Sequence, residues 1–151
     1  MAEITIRSLD GGETVLSQDV VEGFASGIRG NVVTDASPDY DSSRALWNAM
    51  IDKRPALIIR ATGQADVIRT VNFAREHRLL LAVRGAGHNI AGKALCDGGV
   101  VLDLSALRGV RVDPHAHTAR VEPGATLGDM DHETQAFGLA TPLGINSTTG
   151  V

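Results

Sequence analysis

Arg84-Gly-Ala-Gly-His-Asn-Ile-Ala-Gly-Lys-Ala94 follows directly on the apolar run Leu79-Leu-Leu-Ala-Val83, and how this stretch is read decides the fold. Gly85, Gly87 and Gly92 leave the backbone without β-carbons where amides would turn inward and approach an anion closely. Two phosphate-binding motifs compete for it. Gly87-x-x-x-x-Gly92-Lys93 matches a Walker A loop except at the last position, where Ala94 replaces the Ser or Thr that reaches magnesium. That motif needs a helix starting at Gly92-Lys93, yet only four residues separate Lys93 from the pair Gly98-Gly99. No helix fits there. The apparent Walker B strand, Val100-Val-Leu-Asp103, then follows without a crossover, which a parallel P-loop sheet does not allow. A dinucleotide fingerprint fails as well, because Ile90 stands where its third glycine belongs. What remains is an extended cradle whose amides wrap a diphosphate, with His88 at its centre.

The flanks place this cradle. Ala56-Leu-Ile-Ile-Arg60 is short, apolar and rich in β-branched residues, as a strand buried on both faces would be. Val67, Ile68, Val71 and Ala74, with Arg69, Asn72, Arg75 and Glu76 opposite, predict an amphipathic helix over Ala65–His77. With Leu79–Val83 as a second strand, residues 56–83 form a β-α-β unit with parallel strands and a right-handed crossover. The glycine loop then leaves the carboxyl end of a strand, where open α/β sheets bind ligands. Gly99–Leu104 is a third strand, and Val110–Val112 and Thr118–Glu122 alternate around a turn-like segment as a hairpin. Thr126 with Asp129 starts a helix with Leu127, Met130, Thr134 and Phe137 on one face, ended by Gly138. Upstream, Ala45, Leu46, Ala49 and Met50 predict a helix from Asp41 that Pro55 stops, packing Trp47 or Leu46 on the next layer. Residues 1–40 read as a peripheral segment with one short helix near Ser17–Ser26. The fold class is α+β, a parallel β-α-β unit with an antiparallel part.

A length of 151 residues, a net charge of -4 and 43% hydrophobic content suit one ordinary domain able to bury a core. No basic run supplies an electrostatic footprint for nucleic acid or anionic lipid, and no apolar run approaches the roughly 18 residues of a membrane helix. Neither partner is expected, and the expected location is the cytoplasm. The single cysteine, Cys96, excludes an internal disulfide and reads as a small hydrophobe. His115 and His117 lack a third ligand, and the acids of Asp129-Met-Asp-His-Glu133 suit a helix start, so no metal site is expected. Arg84 reads either as a cation balancing a diphosphate or as a surface salt bridge.

Several motifs in order carry a resemblance. The cradle Arg84–Gly92, preceded by Asp66-Val and Phe73-Ala-Arg-Glu-His77 and followed by Val101-Leu-Asp-Leu-Ser105 and Glu122-Pro-Gly-Ala-Thr-Leu-Gly128, resembles the FAD-binding domain of berberine bridge enzyme-like oxidoreductases of the vanillyl-alcohol oxidase superfamily. The resemblance runs from about Tyr40 to the last residue, so residues 41–151 are expected to form the FAD-binding domain. It implies FAD held by Arg84, Gly85, Ala86, Gly87, His88, Asn89, Ile90, Ala91 and Gly92 and by a second loop with Leu143, Gly144, Asn146, Ser147, Thr149, Gly150 and Val151.

It further implies a covalent bond from His88 to the flavin 8α-methyl carbon, for which a neutral imidazole nitrogen is nucleophilic enough near pH 7. Some members add a second bond from a cysteine. Asn146 stands at that position and cannot form a thioether, so at most one link is expected. The implied reaction is hydride transfer from a substrate C–H or alcohol carbon to flavin N5, with dioxygen as acceptor. The catalytic base, typically a tyrosine, is expected after Val151 in a substrate domain, since Tyr40, the only tyrosine, lies in the wrong segment. Gly144–Val151 reads as a loop cut short, so these residues alone are expected to bind FAD without turning over substrate. A noncovalent NADPH-dependent reductase of the same superfamily and an inactive fragment are the competing readings.

Overall fold

The computed structural model describes residues 3–151. Its first elements are β1 (Glu3–Arg7) and β2 (Glu13–Ser17), an antiparallel hairpin, followed by α1 (Gln18–Ala25), β3 (Asn31–Val33) and α2 (Tyr40–Arg44). Next come β4 (Leu57–Arg60), α3 (Gln64–Glu76), β5 (Leu81–Arg84) and β6 (Val100–Asp103). A second hairpin, β7 (Val110–Asp113) with β8 (Thr118–Val121), and α4 (Leu127–Gln135) complete the chain. The fold is α+β.

The central sheet runs β3-β4-β6-β5, with β3 antiparallel to β4 and the other three strands parallel. The two middle strands are apolar at nearly every position because both sheet faces are covered. Leu57, Ile58, Ile59, Val100 and Val101 have no solvent exposure, each stabilising the fold by about 2 kcal/mol through burial. Their side chains alternate between faces. Leu57, Ile59, Val100 and Leu102 pack with Phe24, Phe73 and Leu79 on one side, whereas Ile58 and Val101 meet Val33, Tyr40, Ala82, Leu95 and Cys96 on the other.

Four expectations are corrected. Residues 3–40 are not peripheral: Ile6, Leu16, Val21 and Phe24 belong to the first core, and β3 forms an edge of the central sheet. The helix expected from Asp41 through Met50 and stopped by Pro55 ends at Arg44, where Ala45 turns to extended backbone. Ser43 O, which a continued helix would offer to the amide of residue 47, instead accepts from the Arg84 guanidinium at 2.6 Å. Helix α3 forms as expected but is rotated. It buries Asp66, Thr70, Phe73 and Ala74, leaving Ile68 and Val71 exposed. Burial of Asp66 is offset by N–H groups of Thr62, Arg29 and Gly30 at 2.9 to 3.2 Å, which outweigh desolvation and hold its carboxyl below the ordinary range. Finally, β6 does lie parallel to β5, because residues 85–99 make the crossover as an irregular loop. The absence of a helix in that loop still excludes the P-loop motif.

Candidate cofactor site

Strands β5 and β6 end side by side, with Arg84 opposite Asp103, and the chain leaves β5 at Gly85. Beyond this end lies a cavity of about 390 Å³. Gly85–Asn89 form one wall and Pro123 with Thr149–Val151 another, joined by Val83, Lys93 and Ala94. Two glycines make the close approach possible. A β-carbon on Gly85 would overlap the carbonyl oxygen of Pro123, and one on Gly150 would come within 2.6 Å of the β-carbon of Ala86. Gly87, at φ +78, turns the loop in the left-handed region that other residues rarely adopt.

None of the backbone N–H groups from Gly85 to Ala91 is hydrogen-bonded to another group among the described residues. Five of these consecutive free donors, Gly85 to Asn89, belong to residues that line the cavity, four of them half-buried, and give that wall a positive partial charge suited to an anion.

Helix α4 positions the opposite wall. Thr126 and Asp129 form the expected capping box, and the amides of Leu127 and Gly128 donate to Thr149 O and Ser147 O at 2.8 Å. The first turn of α4 thereby draws the 147–151 segment onto itself, and Val151 N donates to Ala125 O at 3.2 Å. The amide of Thr126, and then the guanidinium of Arg108, hold the Asp129 carboxyl down at about 2.

His88 is half-buried in the first wall. Its Nδ1 lies 3.1 Å from Ala86 O. A carbonyl only accepts, so Nδ1 carries the proton of the neutral ring and Nε2 the free lone pair. The indole of Trp47 stacks on the imidazole, with centroids 5.6 Å apart and planes at 24°.

Of the residues expected at a cofactor, Gly85, Ala86, Gly87, His88, Asn89, Thr149, Gly150 and Val151 line this cavity. The others do not. Ile90 and Ala91 point to solvent, and Gly92 is buried against Ile51. Leu143, Gly144, Asn146 and Ser147 are exposed outside the cavity wall. Arg84 requires correction on both readings. Its guanidinium is buried and faces Asp103, so it is neither a surface salt bridge nor a free counter-charge for a diphosphate. Lys93 is the cation that does line the cavity, and its place at the end of the glycine loop was the available signal. Val83, Ala94 and Pro123 also line the cavity; Ala94 and Pro123 lie within stretches the sequence singled out, but none of the three was expected at the cofactor.

Elsewhere, His115 and His117 sit exposed at the β7–β8 turn, and among the described residues no group of three or more metal-ligating side chains forms. Cys96 is buried, and burial pushes its thiol up, away from nucleophilic use. Tyr40 is buried with its hydroxyl donating to Pro55 O at 2.7 Å. Among the described residues no helix is long and apolar enough to cross a membrane.

A family model described as an FAD binding domain matches residues 55–151. An FAD-linked oxidoreductase of Dictyostelium discoideum is 38% identical over 133 residues, which are 87% of this chain and 29% of the relative. Berberine bridge enzyme-like 8 of Arabidopsis thaliana is 33% identical over 111 residues, covering 70% of this chain and 21% of its own. Among solved structures, 6-hydroxy-D-nicotine oxidase from Arthrobacter nicotinovorans superposes with a TM-score of 0.76 at 34% identity, over 82% of this chain and 27% of the oxidase. The chain thus spans under a third of the length of these relatives.

Proposed function

The chain belongs to the FAD binding domain family of FAD-linked oxidoreductases, and we propose that it is the part of a flavin-dependent oxidase or dehydrogenase that holds FAD covalently through His88. The observation that carries this reading is the run of unpartnered amides that follows a parallel strand, five of which, Gly85 to Asn89, belong to the cavity wall that holds a histidine with Nε2 left free. The donor set fits the cofactor. The amides and Lys93 suit a diphosphate, Gly85 and Gly150 leave no side chain where the two walls meet, and His88 supplies the nucleophile.

Bound FAD would supply acceptance of a hydride at flavin N5 from a substrate C–H or alcohol carbon, and return of the electrons to dioxygen. The chain's own contribution is to bind, orient and tether. His88 Nε2 is the nucleophile that would be joined to the 8α carbon, the hydrogen displaced from the methyl group passing as a hydride to dioxygen, which with one proton would give hydrogen peroxide, while Ala86 O would hold Nδ1 and fix the ring. The relatives are more than three times as long as this chain, and in the proposed protein the substrate, its base and its binding surface would be supplied by residues other than these.

Acid precipitation tests the reading. Yellow colour that stays with the polypeptide, and is lost in His88→Ala, is the expected result. Colour released into the supernatant overturns the tether and favours a noncovalent reductase, which NADPH oxidation would then reveal.

A further inference from the structure

Trp47 is the only tryptophan in the chain, and it is 79% exposed. So exposed a ring gains little from burial, and the core does not explain its position. Among the described residues its one aromatic partner is His88, 5.6 Å away in a stacked arrangement. The segment that carries it is held from below. Arg84 donates to Ser43 O at 2.6 Å and reaches Ala45 O at 3.5 Å, while its other terminal nitrogen bonds Asp103 Oδ2. One buried ion pair therefore fixes the strand ends from which the glycine loop departs and also the turn that presents Trp47. His88 is gripped twice, at Nδ1 by Ala86 O and on its ring by the indole.

We propose that Trp47 is a positioning residue for His88, one that clamps the imidazole with Nε2 free and favours the positive charge that develops on the ring as Nε2 forms its bond. This rests on the reading of His88 as the attachment residue. A cation within about 6 Å of an indole centroid is attracted by the negative π face, and tryptophan does this better than phenylalanine. A leucine would fill much of the space without that field. Arg84 acts one step further back, by holding the Ser43–Trp47 turn.

The test compares apoprotein of the full chain with Trp47→Phe, Trp47→Leu, Trp47→Ala and His88→Ala variants. Each is incubated with FAD while acid-stable flavin is followed in time, and the imidazole C–H resonances of His88 are recorded without FAD by NMR. The His88 signals, identified by their loss in His88→Ala, should be shielded by the indole ring current and should move downfield in Trp47→Ala. Attachment should slow roughly tenfold in Trp47→Ala and Trp47→Leu, with Trp47→Phe restoring most of the rate. Native rates in Trp47→Ala and Trp47→Leu, or His88 resonances unmoved by the substitution, overturn the proposal. No acid-stable flavin in the native protein, or its persistence in His88→Ala, overturns instead the attachment reading beneath it.

Discussion

Gly85 lies so close to Pro123 that a β-carbon on the one would overlap the carbonyl oxygen of the other. The glycine loop and the turn between β8 and α4 are in backbone contact, and the cavity exists because they meet. Gly85→Ala should force them apart, costing about 2 kcal/mol of stability as overpacking does, and should weaken FAD retention. Gly23→Ala is the contrasting variant. No atom lies within 4 Å of a β-carbon there, so inside α1 it should raise the unfolding midpoint by an amount equivalent to about 0.5–1 kcal/mol. Thermal unfolding of the two variants checks both signs.

Asp103 is the counter-charge that keeps Arg84 buried. Asp103→Ala leaves a guanidinium uncompensated at the sheet end and should cost about 3–5 kcal/mol by denaturant unfolding. Arg84→Lys should lose stability as well, since one ammonium cannot reproduce the fork that bonds Asp103 and Ser43 together.

Asp129 sets the acid limit of α4. Its carboxyl is held at about 2 against an ordinary value of 3.8, so the unfolded chain binds that proton more tightly than the folded one. The stability it contributes is complete above the ordinary value and is lost as pH falls from there towards 2. Asp129→Asn should flatten this part of the stability curve, and Thr126→Ala should cost about 1 kcal/mol near neutral pH by removing the other half of the capping box. Denaturant midpoints at pH 6 and pH 2.5 measure both effects.

Elements governed by local chemistry were legible in the sequence. The Thr126–Asp129 cap, the β7–β8 hairpin and the strand–helix–strand run from Leu57 to Arg84 all form where spacing placed them. Strand β3 was not legible, because three residues carry no periodicity and their partner β4 lies far along the chain. The buried face of α3 was misjudged for a related reason. Asp66 is paired with amides from Arg29 and Gly30, and apolar patterning cannot report a remote partner that makes a carboxylate cheap to bury. The same limit applied at the site. The glycines and His88 announced themselves, whereas Pro123 is brought to the cavity by the close approach of its carbonyl to Gly85, and Arg84 is withdrawn from it by Asp103.

The most direct test of the His88 tether is the intact mass of the protein prepared with FAD, followed by mapping of the modified peptide. A mass higher by one FAD less two hydrogens, with the addition on the peptide that contains His88 and gone in His88→Ala, is the expected result. An unmodified chain mass from a protein that has bound FAD, or an adduct on any other residue, would contradict it.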